Sequence, residues 1–140
     1  MTTFRFSCPI KVRYADLDAQ GHVNNAAYFS YMEQARFEYM QALGVWRPGD
    51  DFLSLGTILA EAGCTYKKPI QIGQTVEVGV RITRLGNKSY DTEYRLTVNG
   101  EEVATGRSVQ VAYDYRTQRS VRIPDEWREK IRALENNPDL

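Results

Sequence analysis

Tyr14-Ala15-Asp16-Leu17-Asp18-Ala19-Gln20-Gly21-His22-Val23-Asn24-Asn25-Ala26-Ala27-Tyr28 decides how this chain is read. Two carboxylates stand one residue apart. A turn rich in Gly, His and Asn follows, and a long helical pattern begins directly after it. An acidic group just ahead of a helix start can supply both halves of an acyl-transfer site. The carboxylate serves as base or nucleophile. The unclaimed N–H groups of the first helical turn can hold a developing oxyanion.

Upstream of this stretch, Phe4 to Arg13 reads as a strand, with Phe4, Phe6, Cys8, Ile10 and Val12 alternating against mostly polar neighbours. Asp16 to Asn24 is turn-rich and ends it. Asn24 is the expected N-cap of the helix that follows. Tyr28, Met32, Ala35, Tyr39 and Leu43 keep helical spacing, with Phe29, Arg36 and Met40 beside them, and Gly44 is the expected stop. Arg47 to Ser54 carries Pro48, Gly49, Asp50 and Asp51 and reads as a loop.

The rest is mostly β. Strands are expected over Thr57 to Lys67, Thr75 to Leu85, Ser89 to Val98 and Val103 to Tyr115, with Asn99-Gly100 as a hairpin signal. A short amphipathic helix runs from Asp125 to Leu134 through Trp127 and Ile131. One helix-dominated segment followed by successive strands predicts a single α+β domain, residues 1–140, with a mainly antiparallel sheet.

The motif Y-x-D-x-D-x-x-G-H-V-N-N-x-x-Y, from Tyr14 to Tyr28, resembles the signature of the hotdog-fold acyl-CoA thioesterases of the 4-hydroxybenzoyl-CoA thioesterase group. Its HVNN form is similar to that of the long-chain acyl-CoA thioesterases in that group. Tyr66-Lys67-Lys68-Pro69, the Gly73-Gln74-Thr75-Val76 strand entry and the strand from Val103 to Asp114 extend the likeness over most of the chain. The resemblance implies a hotdog fold, an antiparallel sheet wrapped around one long central helix, completed by a second subunit as a homodimer or tetramer. It implies hydrolysis of an acyl-CoA, with long-chain fatty acyl as the favoured class. It assigns the catalytic carboxylate to Asp18 and the oxyanion donor to the backbone N–H of Asn25, with Val23 and Asn24 beside the substrate. Asp16 is left to anchor the loop.

Composition narrows the alternatives. Eighteen basic and 18 acidic side chains balance, so the basic footprint of a nucleic-acid partner is lacking. The basic tract from Arg116 to Arg132 is interrupted by Asp125, Glu126 and Glu129 and reads as a solvated face. No apolar run suits a membrane span or a secretory leader, which leads to the expectation of a cytoplasmic protein. Cys8 and Cys64 lack metal spacing, and His22 is the sole histidine. There is no G-x-S-x-G elbow, P-loop or G-x-G-x-x-G. Chemistry is left to carboxylates, amides and backbone, with no cofactor expected; coenzyme A is part of the substrate.

Several residues keep more than one reading. Asp18 is also a natural turn-capping residue. His22 can be a base, a substrate contact or a loop-fixing hydrogen bonder. Tyr28 belongs to an apolar stripe and can line an acyl pocket. Lys67 and Lys68 can meet coenzyme A phosphates or stay ordinary surface cations. Glu61 can face solvent or approach the site of a neighbouring subunit. Glu33 and Arg36, at i,i+3, read as a surface ion pair. A hotdog hydratase or dehydratase using Asp18 with His22, and a non-catalytic acyl-thioester binder, remain as alternatives to hydrolysis.

Overall fold

A 19-residue helix, α1 (Asn25–Leu43), lies across the concave face of an antiparallel sheet, the α+β hotdog arrangement. The computed structural model describes residues 3–47, 49–51, 53 and 55–140. Pro48, Phe52 and Ser54, part of the expected loop, lie outside the described residues. The strands are β1 (Phe6–Lys11), β2 (Gly56–Tyr66), β3 (Thr75–Leu85), β4 (Ser89–Val98), β5 (Glu101–Asp114) and β6 (Arg119–Ser120), followed by α2 (Asp125–Glu135). The main strand order is β1-β3-β4-β5-β2, and β6 adds to β5.

Alternation sets which residues meet the helix. Val76, Val78, Val80 and Ile82 on β3, and Tyr90, Tyr94 and Leu96 on β4, are buried against α1. The helix answers with Tyr28, Tyr31, Met32, Ala35, Tyr39, Met40 and Leu43. Gly106 on β5 permits the close approach: a Cβ there would run into the Met32 Sδ and come within 3.2 Å of the Gly63 carbonyl. Gly44 closes α1 in the left-handed conformation (φ 79°), its amide returning to the Gln41 and Met40 carbonyls. Asn99 (φ 52°) and Gly100 (φ 80°) make the two-residue turn joining β4 to β5.

Strand ends shift by one or two residues from expectation. β1 starts at Phe6 rather than Phe4, and β5 starts at Glu101 because the tight turn leaves no intervening loop. The short strand β6 was not foreseen; two residues carry no periodicity. The tract from Arg116 to Arg132 is not wholly a solvated face. Arg128 is buried, and its guanidinium donates to the carbonyls of Ile123, Gly86 and Asn87 at 2.7–3.0 Å. Those carbonyls, left over at a turn and a helix approach, need donors once covered, and Arg supplies several from one plane.

β1 and β2 are the two edges of the sheet. β2 is the longer of them. Among the described residues it pairs with no strand but β5, and Ile58 and Leu59 are 41% and 49% exposed. An 11-residue edge strand with apolar groups open on both faces is a ready template for another strand.

Candidate active site

The chain leaves β1 through a single 3₁₀ turn, Tyr14–Asp16, and then doubles back. Leu17 and Val23 form an isolated antiparallel bridge, so Asp18 to His22 is a closed loop. The Asp18 amide donates to the His22 carbonyl at 2.7 Å, and the Gly21 amide to the Asp18 carbonyl at 3.1 Å. Gly21 takes φ 80°, which a side chain would resist at this turn. Asp18 Oδ1 accepts from the amides of Gln20 (2.9 Å) and His22 (3.1 Å). Its Oδ2 takes no protein donor among the described residues, and the side chain is exposed. One oxygen orients the carboxylate; the other is open to a water or a carbonyl carbon.

Asp16 sits oppositely. It is 4% exposed, and all its acceptors are engaged. Oδ2 accepts from the Arg13 amide (2.9 Å) and the Tyr31 hydroxyl (2.7 Å), and Oδ1 from the Arg13 guanidinium (2.9 Å). Burial pushes its carboxyl upward, but the Arg13 and Tyr31 hydrogen bonds and the Arg13 charge outweigh it and hold the group below its ordinary value. Burial and the Asp16 charge in turn raise the Tyr31 hydroxyl, which stays a donor. The Asp16 carbonyl accepts from both the amide and the side-chain amide of Asn24, at 2.8 and 3.0 Å. Asp16 thus ties the loop to the body of α1.

Asn24 caps α1 through its Oδ1, which accepts from the Ala27 amide at 2.9 Å. Its side chain is wholly committed to holding the turn. The amides of Asn25 and Ala26 precede the helix's own ladder, and among the described residues neither donates to a protein acceptor. Two N–H groups therefore stand unclaimed at the positive end of the helix, immediately beyond the Asp18 loop.

The other residues singled out in the sequence divide. His22 fixes the loop through its backbone, which pairs with Asp18 and bridges to Gln71. Val23 is buried with the core, its amide donating to the Ile70 carbonyl at 2.8 Å. Tyr28 is buried, reaches the Lys68 carbonyl at 3.4 Å and packs edge-on against Tyr66. Lys67 and Lys68 are close to this helix end but pair with Glu102 and Glu101. Glu61 stands apart on β2, exposed and paired with Arg107 at 2.8 Å. Tyr66 was missed as an individual: its hydroxyl donates to the Asn25 carbonyl at 3.0 Å and fastens the end of β2 to the helix start. Its place in the Tyr66-Lys67-Lys68-Pro69 run was the available signal.

Arg36 keeps the i,i+3 ion pair expected with Glu33, but its own end of that pair is not at the surface. Its side chain is 13% exposed and its contact with Glu33 is 3.9 Å, too long for a hydrogen bond. The helix turns Arg36 inward over the sheet, where Nη1 donates to the Tyr94 hydroxyl at 2.9 Å.

Residues 12–131 match the family model described as the thioesterase-like superfamily. The chain belongs to that superfamily. A crystal structure of a thioesterase complexed with coenzyme A and Zn from Thermus thermophilus superposes with a TM-score of 0.84 at 38% identity, over 99% of each chain. The long-chain acyl-CoA thioesterase FadM of Escherichia coli is 26% identical over 89% of this chain and 96% of its own length. A 1,4-dihydroxy-2-naphthoyl-CoA hydrolase of Synechococcus elongatus is 26% identical over 81% of this chain and 85% of its own. This thioesterase is therefore a thioester hydrolase on the hotdog scaffold that the motif implied. Among its described residues no cluster of His, Cys, Asp or Glu is placed to hold a metal ion, and no helix is long and apolar enough to cross a membrane.

Proposed function

We propose that the protein hydrolyses acyl-CoA thioesters to the free acid and coenzyme A, with Asp18 as the reacting carboxylate. The observation that carries this reading is the division of labour at Asp18. One oxygen is held by the Gln20 and His22 amides, and the other is open, on a loop leading straight into the unclaimed amides of Asn25 and Ala26. The thioester carbonyl rests against those amides, which stabilise the oxyanion as it forms. Asp18 either attacks the carbonyl carbon to give a mixed anhydride, later opened by water, or takes a proton from a water that attacks directly. In both routes the C–S bond breaks, water supplies the oxygen of the new acid, and the thiolate leaves to be protonated as coenzyme A.

The carrier is read as coenzyme A because the relatives named for a substrate include acyl-CoA hydrolases. The exposed β2 edge supports a homo-oligomer as the working form. The acyl class is read as fatty acyl, long-chain by resemblance to the HVNN group. The test is thiol release from acetyl-, octanoyl-, palmitoyl- and benzoyl-CoA, with crotonyl-CoA absorbance followed in parallel. Thiol release abolished in Asp18→Asn supports the proposal. Loss of crotonyl absorbance without thiol points to a hydratase, and silence in both assays to a non-catalytic binder.

A further inference from the structure

We infer that the acyl groove of this protein ends on a donor-rich floor at Arg36 and selects acyl groups carrying an oxygen acceptor, best a carboxylate, at their far end. The inference rests on the thioesterase reading above and replaces its plain long-chain acyl class with shorter, ω-carboxylated acyl groups.

The groove lies between α1 and β2, which run alongside each other in opposite directions. Tyr66 meets Asn25 at one end, and Leu59 faces Arg36 at the other. A cavity of about 110 Å³ opens between them, walled by Phe29, Met32, Leu59 and Ala62, with the charged Glu33 and Arg107 also on its lining. Arg36 and Ser108 close it from below, and Arg36 also borders a larger cavity of about 700 Å³ beside the same stretch of the helix. An acyl chain starting at the Asn25 amides passes Phe29 and Met32 before it reaches Arg36.

That guanidinium is incompletely matched. Of its five N–H donors, one goes to the Tyr94 hydroxyl at 2.9 Å. Glu33, 3.9 Å away, is 76% exposed and accepts no hydrogen bond from it. Among the described residues the other donors have no acceptor. None of the guanidinium nitrogens is sealed from solvent without a partner, so the spare donors are open to a ligand in the cavity.

The sheet beneath deepens the imbalance. Its concave face is otherwise mostly apolar, yet Thr92, Tyr94, Ser108 and Gln110 are all buried there. Thr92 Oγ1 donates to Gln110 Oε1 at 2.7 Å, Gln110 Nε2 donates to Ser108 Oγ, and the Tyr94 and Ser108 hydroxyls share a 2.6 Å bond. Donation therefore runs toward the Tyr94–Ser108 pair from both sides. Whichever of the two hydroxyls donates to the other, one hydroxyl hydrogen is left over beside the Arg36 donors. The floor offers several hydrogens, and the one carboxylate beside it, Glu33, stays 3.9 Å from Arg36 and mostly in solvent. An oxygen acceptor on the ligand completes it, and an anionic one also balances the charge.

The helix sets the length. Arg36 follows Asn25 by eleven residues, a rise of roughly 16 Å, and its side chain leans back by about one turn, or ~5 Å. The remaining ~11 Å is spanned by about nine extended bonds at ~1.2 Å each. Acyl groups of about eight to ten carbons with a terminal carboxylate reach it.

The test compares matched pairs on the intact protein: octanoyl-CoA with suberoyl-CoA, and decanoyl-CoA with sebacoyl-CoA. The expected result is kcat/KM at least about tenfold higher for each ω-carboxyacyl substrate, one well-made charged interaction. In Arg36→Met the ratio falls to about one, and Arg36→Lys keeps part of it. A wild-type ratio of one or below overturns the inference, whether or not the variants fold, as does an unchanged ratio in folded Arg36→Met. Release of coenzyme A from none of the four sinks the thioesterase reading instead. Calorimetric titration with the same intact pairs then decides the floor: tighter binding of the ω-carboxyacyl member supports it, and equal binding overturns it.

Discussion

The Tyr31 hydroxyl donates to Asp16 Oδ2 at 2.7 Å, joining the second turn of α1 to the loop that carries Asp18. The bond is buried and spans fifteen residues of chain. It explains why two carboxylates one residue apart play different parts: Asp16 is consumed by positioning, while Asp18, on the exposed side, keeps an oxygen free.

Asp16→Asn should lower stability by about 1–3 kcal/mol at neutral pH, since the amide presents N–H hydrogens to the Arg13 and Tyr31 donors. The Arg13 guanidinium is largely exposed and screened, so most of the loss comes from the Tyr31 hydroxyl and the Arg13 amide. The folded protein holds the Asp16 carboxyl below its ordinary value of 3.8. Its stabilisation is therefore full above about pH 4 and lost as pH falls through the lower folded value. Urea denaturation of both proteins at pH 7 and pH 3 checks this: the gap seen at pH 7 should shrink in acid.

Asp18→Asn should reduce turnover by at least ~10²-fold while leaving the fold intact. The Asn Oδ1 can still accept from the Gln20 and His22 amides, so the loop keeps its shape. Thiol release measured with a chromogenic reagent, alongside circular dichroism, separates chemistry from folding. Near-normal turnover would remove Asp18 from the reaction.

Asn25→Ala should retain much of the activity, and Asn25→Pro should lose nearly all of it. Position 25 opens the helix, where proline is tolerated. Asn24 already has the extended backbone (φ −70°, ψ 156°) that a following proline demands. The Pro variant is therefore expected to fold while lacking the N–H. A folded, fully active Asn25→Pro protein would move the oxyanion donor elsewhere.

Asn24→Ala should cost about 1 kcal/mol or more through loss of the cap. It also removes the bond to the Asp16 carbonyl. Thermal unfolding should show the lower midpoint, and KM should rise with it as the loop loosens. An unchanged midpoint would mean water replaces the cap without penalty.

Light scattering should give a mass at least twice the 16.1 kDa of one chain. Ile58→Lys, which places a charge on the free β2 edge, should shift the population toward monomer and lower activity with it. A fully active monomer at nanomolar concentration would show that the site is complete within one chain.

Much of the scaffold was legible because local rules decided it. The period-two runs on β3 and β4 fell where alternation put them, Asn24 capped α1 with its side-chain oxygen, and Gly44 ended it with the left-handed backbone that glycine adopts freely. The D-x-D loop, the helix start and the neighbourhood of Tyr28 with Lys68 are also gathered by chain proximity and one strand end. Arg36 and Val23 were not legible in the same way. Helical spacing places Arg36 beside the buried stripe, but not whether the sheet rises to cover it; Val23 looks like a loop residue until Ile70 closes over it.

The sequence by itself determined the order of elements, the helix ends and the pairing of an acidic turn with unclaimed amides, because each depends on backbone bonding within a few residues. Only the tertiary structure decided that Tyr31 on the helix is what spends Asp16, and that Arg36 hangs over Tyr94, Ser108 and Gln110. Those outcomes depend on contacts made across the sheet and between chain-distant elements, where burial and unmatched donors are set by neighbours that no local pattern names.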